Sequence, residues 1–133
     1  ANDIIGCLNN WVDGWVDWNM VLDTQGGPNW FKNWCIAPII VDTEKDEVYL
    51  TPLYYTMAHF SKFMRPGAVK IGCEINDKNL VATAVKNPDG SIALVIFNPT
   101  EKSQTLKIQL ENKNTIFSIA TKAIQTIVIK PIN

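Results

Sequence analysis

The 133 residues lack most of the features that assign a function at sight. No apolar run approaches the roughly 20 residues that a membrane-spanning helix needs. Basic residues are not in excess: 12 Lys and Arg stand against 13 Asp and Glu, a formal net charge of −1. Nothing is left over to neutralise phosphates, which excludes nucleic acid as the main partner. Histidine occurs once, at His59. Cys7, Cys35 and Cys73 form no CxxC or Cys/His spacing, so zinc is not indicated, and no other cofactor is implied. The thiols are expected to be buried, free and idle, the alternative being one disulfide with a cysteine left over. There is no GxSxG elbow, and Gly26-Gly27 is not followed by the Lys-Ser/Thr of a phosphate-binding loop. Asn98 precedes Pro99, so Asn98-Pro99-Thr100 is not a glycosylation acceptor. An initiator Met and a signal-peptide pattern are also missing, and the first residues read as the middle of a longer chain.

What is present is enough apolar character (47%) for a core and too little charge (19%) for disorder. All five tryptophans, Trp11, Trp15, Trp18, Trp30 and Trp34, precede residue 35. Indole is large and flat and donates one hydrogen bond, which suits a wide core or a binding cleft.

Ile4, Ile5, Leu8 and Trp11 recur at spacings of three and four, predicting the last turns of a helix over residues 3–12. Gly14 permits a change of direction. Trp15-Val16-Asp17-Trp18-Asn19-Met20 then reads as a strand apolar on both faces, of the kind buried in a parallel sheet. Asp23 to Asn29 is a loop in which Gly26 and Gly27 supply turn conformations and Pro28 blocks a ladder bond. A short apolar segment, Ile36 to Val41, leads into the charged stretch Asp42–Glu47, predicted to be a solvated face. Residues 51–64 carry the clearest helical signal. Thr51 can cap them, Pro52 fits the first position, and Leu53, Met57, Phe60 and Met64 make one apolar face. Pro66-Gly67 ends the helix.

From Ala68 the period changes to two. Val69, Ile71, Cys73 and Ile75 alternate with polar or small residues, as do Leu106, Ile108 and Leu110. Asn87-Pro88-Asp89-Gly90 predicts a hairpin between residues 80–86 and 91–97, and Asn98–Lys102 a second turn. About six short strands follow one another without a helix. Ile92 to Phe97 is apolar on both faces, so this sheet should be covered on both. Residues 1–67 thus resemble one unit of an α/β protein and residues 68–133 part of an antiparallel sandwich. A lone βα unit cannot bury its own faces, so neighbours from outside this stretch are expected.

Among residues that could carry chemistry, Asp13 and Asp17 lie four apart. A retaining glycosidase needs two carboxylates about 5–5.5 Å apart. Asp17 between two tryptophans would be desolvated and is expected to be a structural acid paired with Arg or Lys. Asp89 belongs to a turn, and His59 is expected to be a core or surface histidine without a catalytic partner. The Trp cluster is more informative. A sugar ring offers a flat C–H face to indole, while Asn amides match its hydroxyls. Trp18, Asn19, Asn29, Trp30, Asn33 and Trp34 combine both at a strand end and its loop, where α/β barrels place ligand contacts. Trp11 and Trp15 are expected to fill core. Composition alone leaves Trp18 and Asn33 open between pocket and core.

Asp13-Gly14-Trp15-Val16-Asp17-Trp18-Asn19, then Gly26-Gly27-Pro28-Asn29-Trp30 with Asn33, then Pro38-Ile39-Ile40-Val41-Asp42 resembles the C-terminal part of glycoside hydrolase family 30, glucosylceramidase type. Tyr54 to Phe63 and Asn87 to Ser91 follow in the same order. The resemblance implies a (β/α)8 barrel joined to a β-sandwich, and retaining hydrolysis of β-glucosidic bonds by two glutamates. Residues 1–67 would then be the last βα unit of the barrel, with residues 14–20 as its eighth strand. Residues 68–133 would be antiparallel C-terminal strands of the sandwich. The resemblance implies substrate contacts from Trp18, Asn33 and Trp34, a glycoside or glycolipid substrate, and a structural rather than catalytic Asp17. A secreted or lysosome-like setting would accord with it. Both family glutamates lie upstream of the matching stretch, and Glu44, Glu47, Glu74, Glu101 and Glu111 match neither. The expectation is therefore a non-catalytic portion of such an enzyme, partnered by its upstream barrel segment and inactive alone. Alternatives are a stand-alone carbohydrate-binding sandwich and a purely structural piece. Against the first, the sandwich half has only Phe97 and Phe117 as aromatics.

Overall fold

The computed structural model describes residues 1–131; residues 132 and 133, the end of the 68–133 span read as sandwich, lie outside the described residues. In chain order the elements are α1 (Asn2–Asn9), β1 (Val21–Asp23), β2 (Ile39–Asp42), β3 (Glu47–Leu50) and α2 (Pro52–Ser61). There follow β4 (Val69–Ile71), β5 (Val81–Lys86), β6 (Ile92–Asn98), β7 (Gln104–Leu110), β8 (Lys113–Ile119) and β9 (Ala123–Ile129). They form two compact units: Gly14–Ala58, and Ala1–Asp13 together with the chain from His59 onward.

In the larger unit, β4, β5, β6 and β9 form an antiparallel sheet in that spatial order, and β7 pairs with β8 as a separate hairpin. Strand period two divides each strand between two faces. Ala82, Ala84, Leu94 and Ile96 turn to one face and are buried with Ile119, against Leu106, Ile108 and Phe117 of the hairpin. This is the sandwich core, and the small alanines of β5 let the hairpin approach. Each large aliphatic side chain fully buried there contributes about 1.5–3 kcal/mol. The opposite face is covered too. Ala93 and Val95 are fully buried, α1 packs on β5, and Asn9 Nδ2 donates to the Ala82 carbonyl at 2.9 Å. His59 Nδ1 lies 2.8 Å from Thr126 Oγ1, whose hydroxyl donates to the His59 carbonyl at 3.2 Å. The expectation of a sheet covered on both sides is met.

Both turn signals act as read. Gly90, at φ 81°, closes the β5–β6 hairpin, where Asn87 N–H donates to the Ser91 carbonyl at 2.8 Å. The buried Asn87 amide donates to the Phe63 carbonyl at 2.9 Å and accepts from Arg65 N–H at 3.0 Å. It thereby fixes the chain that leaves α2. The Asn98 turn links β6 to β7.

The smaller unit departs further from expectation. Residues 14–20 belong to no strand, with bends at Trp18 and Met20; the ladder begins at Val21. Val16 and Trp18 are exposed at 90% and 75% within this chain. Among the described residues no strand pairs with it, and alternation cannot be enforced without a partner. β1 instead runs parallel to β2, which is antiparallel to β3. Trp11 is a second correction. α1 ends at Asn9, and Trp11 adopts φ 66°, which swings it off the face of Ile4 and Ile5 and leaves it 89% exposed. Trp15 is half-buried.

Two further assignments change. Asp42 is not part of a solvated face: it is 6% exposed, accepts from Glu44 and Lys45 N–H, and pairs with Lys45 at 3.1 Å. The hydrogen bond from Lys45 holds its carboxyl below the usual range. Thr51 is not a side-chain cap. Its hydroxyl points back to the carbonyls of Ala37 and Pro38, at 3.0 and 3.1 Å, and moors the start of α2 to the entry of β2.

Candidate functional site

A parallel pair cannot be joined by a tight turn, because the chain must return to the same end of the sheet. The β1–β2 connection is therefore long, running from Thr24 to Pro38, and it carries most of the Trp and Asn residues singled out above. It leaves from the C-terminal end of a parallel strand.

The loop is built on Asp23. Its Oδ1 accepts from Gln25 N–H and Gly27 N–H, each at 2.8 Å. Backbone bonds from Asp23 N–H to the Gly27 carbonyl (2.8 Å) and from Gly26 N–H to the Asp23 carbonyl (3.0 Å) complete the turn. Gly26 sits at φ 71°, and a Cβ there would lie 2.6 Å from Cys35 N and 2.8 Å from Cys35 O. Only glycine allows the returning segment to pass so close. The peptide bond between Gly27 and Pro28 is cis. Asn29 Nδ2 donates to the Gly26 carbonyl at 3.2 Å.

The result is a cavity of about 430 Å³ within the smaller unit, inside the range of roughly 300–1,000 Å³ usual for small-molecule sites. Trp18, Asn19, Asn29, Trp30 and Asn33 line it together with Gly26, Pro28, Phe31 and Cys35. Trp18 and Asn33 thus share one cavity. Trp34 does not line it; its side chain is 72% exposed. No Asp, Glu, Lys, Arg or His stands on the wall. Aromatic faces, amides and one thiol can stack and hydrogen-bond a neutral polar ligand, but the wall holds no carboxyl pair for acid/base or nucleophilic work.

The remaining candidates fall elsewhere. Asp17 accepts from its neighbour's N–H, Trp18 N, at 2.9 Å. It has no ion pair among the described residues, so the expected Arg or Lys partner is not found. Asp13 is exposed, as are all five glutamates. Asp89 accepts from Ser91 N–H and Oγ at 2.9 and 2.6 Å, which lowers its pKa and confirms the turn role. His59 is held by Thr126 and lowered by burial, a structural histidine. The cysteines are all free, but half-buried rather than buried. The described residues contain no cluster fit to hold a metal and no helix long and apolar enough to cross a membrane. Asp23 was the residue that sequence reasoning passed over. Its signal is an acid three and four positions ahead of a glycine pair in a turn.

Residues 1–64 match the glycosyl hydrolase family 30 TIM-barrel domain, and residues 67–127 match the family 30 beta sandwich domain. Putative glucosylceramidase 4 of Caenorhabditis elegans is 45% identical over 103 residues, 76% of this chain and 20% of that protein. Lysosomal acid glucosylceramidase of Mus musculus is 38% identical over 109 residues, 81% of this chain and 21% of that protein. This chain therefore spans about a fifth of the length of these relatives. The crystal structure of SrfJ from Salmonella typhimurium is similar with a TM-score of 0.95 and 28% identity, over 98% of this chain and 29% of the other. An endo-beta1,6-glucanase structure is similar at 0.87 and 27%, over 96% and 29%.

Proposed function

The chain belongs to glycosyl hydrolase family 30, and from that premise we propose that it supplies a non-catalytic wall of a β-glucoside pocket. Trp18 provides the stacking face, Asn33 hydrogen-bonds hydroxyls, and Trp34, next in sequence, acts at the rim. The observation that carries this reading is the neutral cavity that joins Trp18 to Asn33. Its amide and indole lining suits a sugar ring, and the absence of carboxyls from it means that bond cleavage needs groups supplied elsewhere. We place the two glutamates of a retaining mechanism on the upstream barrel segment of the same enzyme, and residues 1–67 and 68–133 as barrel and sandwich portions. The spans of the two domain matches support that division.

The substrate in this reading is a glucosylceramide-like glycolipid, in line with the names of the glucosylceramidase relatives. A β-1,6-glucan is the second reading, favoured by the structural likeness to an endo-beta1,6-glucanase. A stand-alone sugar-binding sandwich is disfavoured, because the exposed tryptophans all lie at or before Trp34 and none on β4–β9. The test has two arms. Incubated with a fluorogenic β-glucoside, the 133-residue chain should release no fluorophore; turnover that survives repurification contradicts the assignment. Titration with glucose should change Trp emission in the parent chain and not in Trp18→Ala; an unchanged response in that variant moves the site elsewhere.

A further inference from the structure

We infer that Asp23 is the positioning residue of this cavity, a role that rests on the reading of the cavity as a sugar site. Asp23 does not itself line the cavity. It acts through the backbone. One carboxylate oxygen receives both Gln25 N–H and Gly27 N–H at 2.8 Å, so a single acceptor atom holds two backbone groups of the turn. Gly27 is held against the carboxylate so closely that a Cβ there would lie 3.0 Å from Oδ2. Fixing Gly27 fixes Gly26, whose φ of 71° and approach to Cys35 leave no room for a side chain.

Two walls follow from that one anchor. On one side the Gly26 carbonyl takes the Asn29 amide at 3.2 Å, setting the strand of chain that bears Asn29 and Trp30. On the other, the backbone of Trp34 and Cys35, directly after Asn33, passes against Gly26. The loop has no helix or strand of its own between Asp23 and Ile39, so its internal order depends on a few such bonds. A residue placed on the end of β1 can in this way set the spacing between Trp and Asn contacts that it never touches. The need is for an acceptor at Oδ1, not for negative charge, because both donors are backbone N–H groups.

The test compares Asp23→Asn, which keeps the Oδ1 acceptor, with Asp23→Ala, which removes it, in the 133-residue chain. The probe is an iminosugar of gluco configuration titrated against Trp emission. Asp23→Ala should bind at least about tenfold more weakly, a change of 1.4 kcal/mol, and Asp23→Asn within about threefold of the parent. Equal affinity for Asp23→Ala and the parent overturns the role, as does a loss in Asp23→Asn as deep as that in Asp23→Ala. Protease nicking between residues 24 and 34 is read in parallel, and should rise in Asp23→Ala and not in Asp23→Asn. If the parent binds no iminosugar, the sugar reading fails, and nicking alone decides whether Asp23 orders the loop. Should Asp23→Ala fail to fold by circular dichroism, Gly26→Ala attacks the same anchor from the loop side. It must weaken binding or raise nicking to the same extent; no change overturns the inference.

Discussion

Asn98 is the side chain whose loss should cost the sandwich most for its size. It is fully buried, and its Nδ2 donates to the carbonyls of Lys102 and Ala120 at 2.8 and 2.9 Å. Its Oδ1 accepts from Thr100 N–H at 3.0 Å and from Thr100 Oγ1 at 2.7 Å. The turn between β6 and β7 is thereby tied to the end of β8, a tie reinforced by Lys122 N–H and Thr121 Oγ1 donating to the Thr100 carbonyl at 3.0 and 2.9 Å. In Asn98→Ala the Thr100 hydroxyl can still donate to the Lys102 carbonyl. The Ala120 carbonyl and Thr100 N–H lose their Asn98 partner outright. At roughly 1 kcal/mol for each bond, with a further increment for the space vacated, the expected loss is about 3 kcal/mol.

Asn98→Asp sharpens the argument. It keeps the Oδ1 acceptor but turns an oxygen toward two carbonyl oxygens, so at neutral pH it should be at least as destabilised as Asn98→Ala. Burial and those carbonyls would raise the new carboxyl's pKa above its unfolded value. The neutral acid is then favoured in the folded state, so stability rises as pH falls through that raised value and levels off below the unfolded one. Urea unfolding followed by the strand signal in circular dichroism measures both variants. A loss under about 1 kcal/mol for Asn98→Ala, no more than a single net bond, or the absence of acid recovery in Asn98→Asp, refutes the account of this junction.

Other expectations follow from single residues. Thr83 Oγ1 is buried without a hydrogen-bond partner among the described residues, so Thr83→Val should stabilise by about 1 kcal/mol in urea unfolding. Ile119, 1% exposed in the core, should cost about 2–5 kcal/mol when replaced by Ala, read as a fall in thermal midpoint. The His59 pKa is depressed by burial, so the folded state prefers the neutral ring. That contribution is complete above the ordinary value of 6.5 and is lost as pH falls through the lower folded value; His59→Gln should flatten this acid-side slope in stability measured against pH.

The antiparallel half was legible because its instructions are local. Asn87-Pro88-Asp89-Gly90 fixes a turn within four residues, and the flanking period of two then dictates register. The smaller unit was less so because its structure depends on residues far apart. Val21–Asp23 becomes a strand only by pairing with Ile39–Val41, a partner that three residues cannot announce. The same pairing brings the Ala37 and Pro38 carbonyls to Thr51, drawing its hydroxyl away from a capping role. Asp42 looked solvated because its neighbours are charged, yet two N–H groups and Lys45 make its burial tolerable. Trp11 followed the helical period but lay past the last turn that could enforce it. In the site, chemical types were readable from Trp18 and Asn33, whereas Asp23 was not, since it works by holding backbone rather than by facing the cavity.

The most direct test of the pocket is an indole NMR titration. Each of the five tryptophans gives one Nε1–H resonance, assignable by single Trp→Phe substitutions. On addition of a gluco-configured iminosugar, Trp18 and Trp30 should shift together with one saturable affinity while Trp11 stays in place. Shifts confined to Trp11 and Trp15, or none at concentrations where the ligand saturates a family 30 enzyme, would contradict the claim that this chain forms a wall of the sugar site.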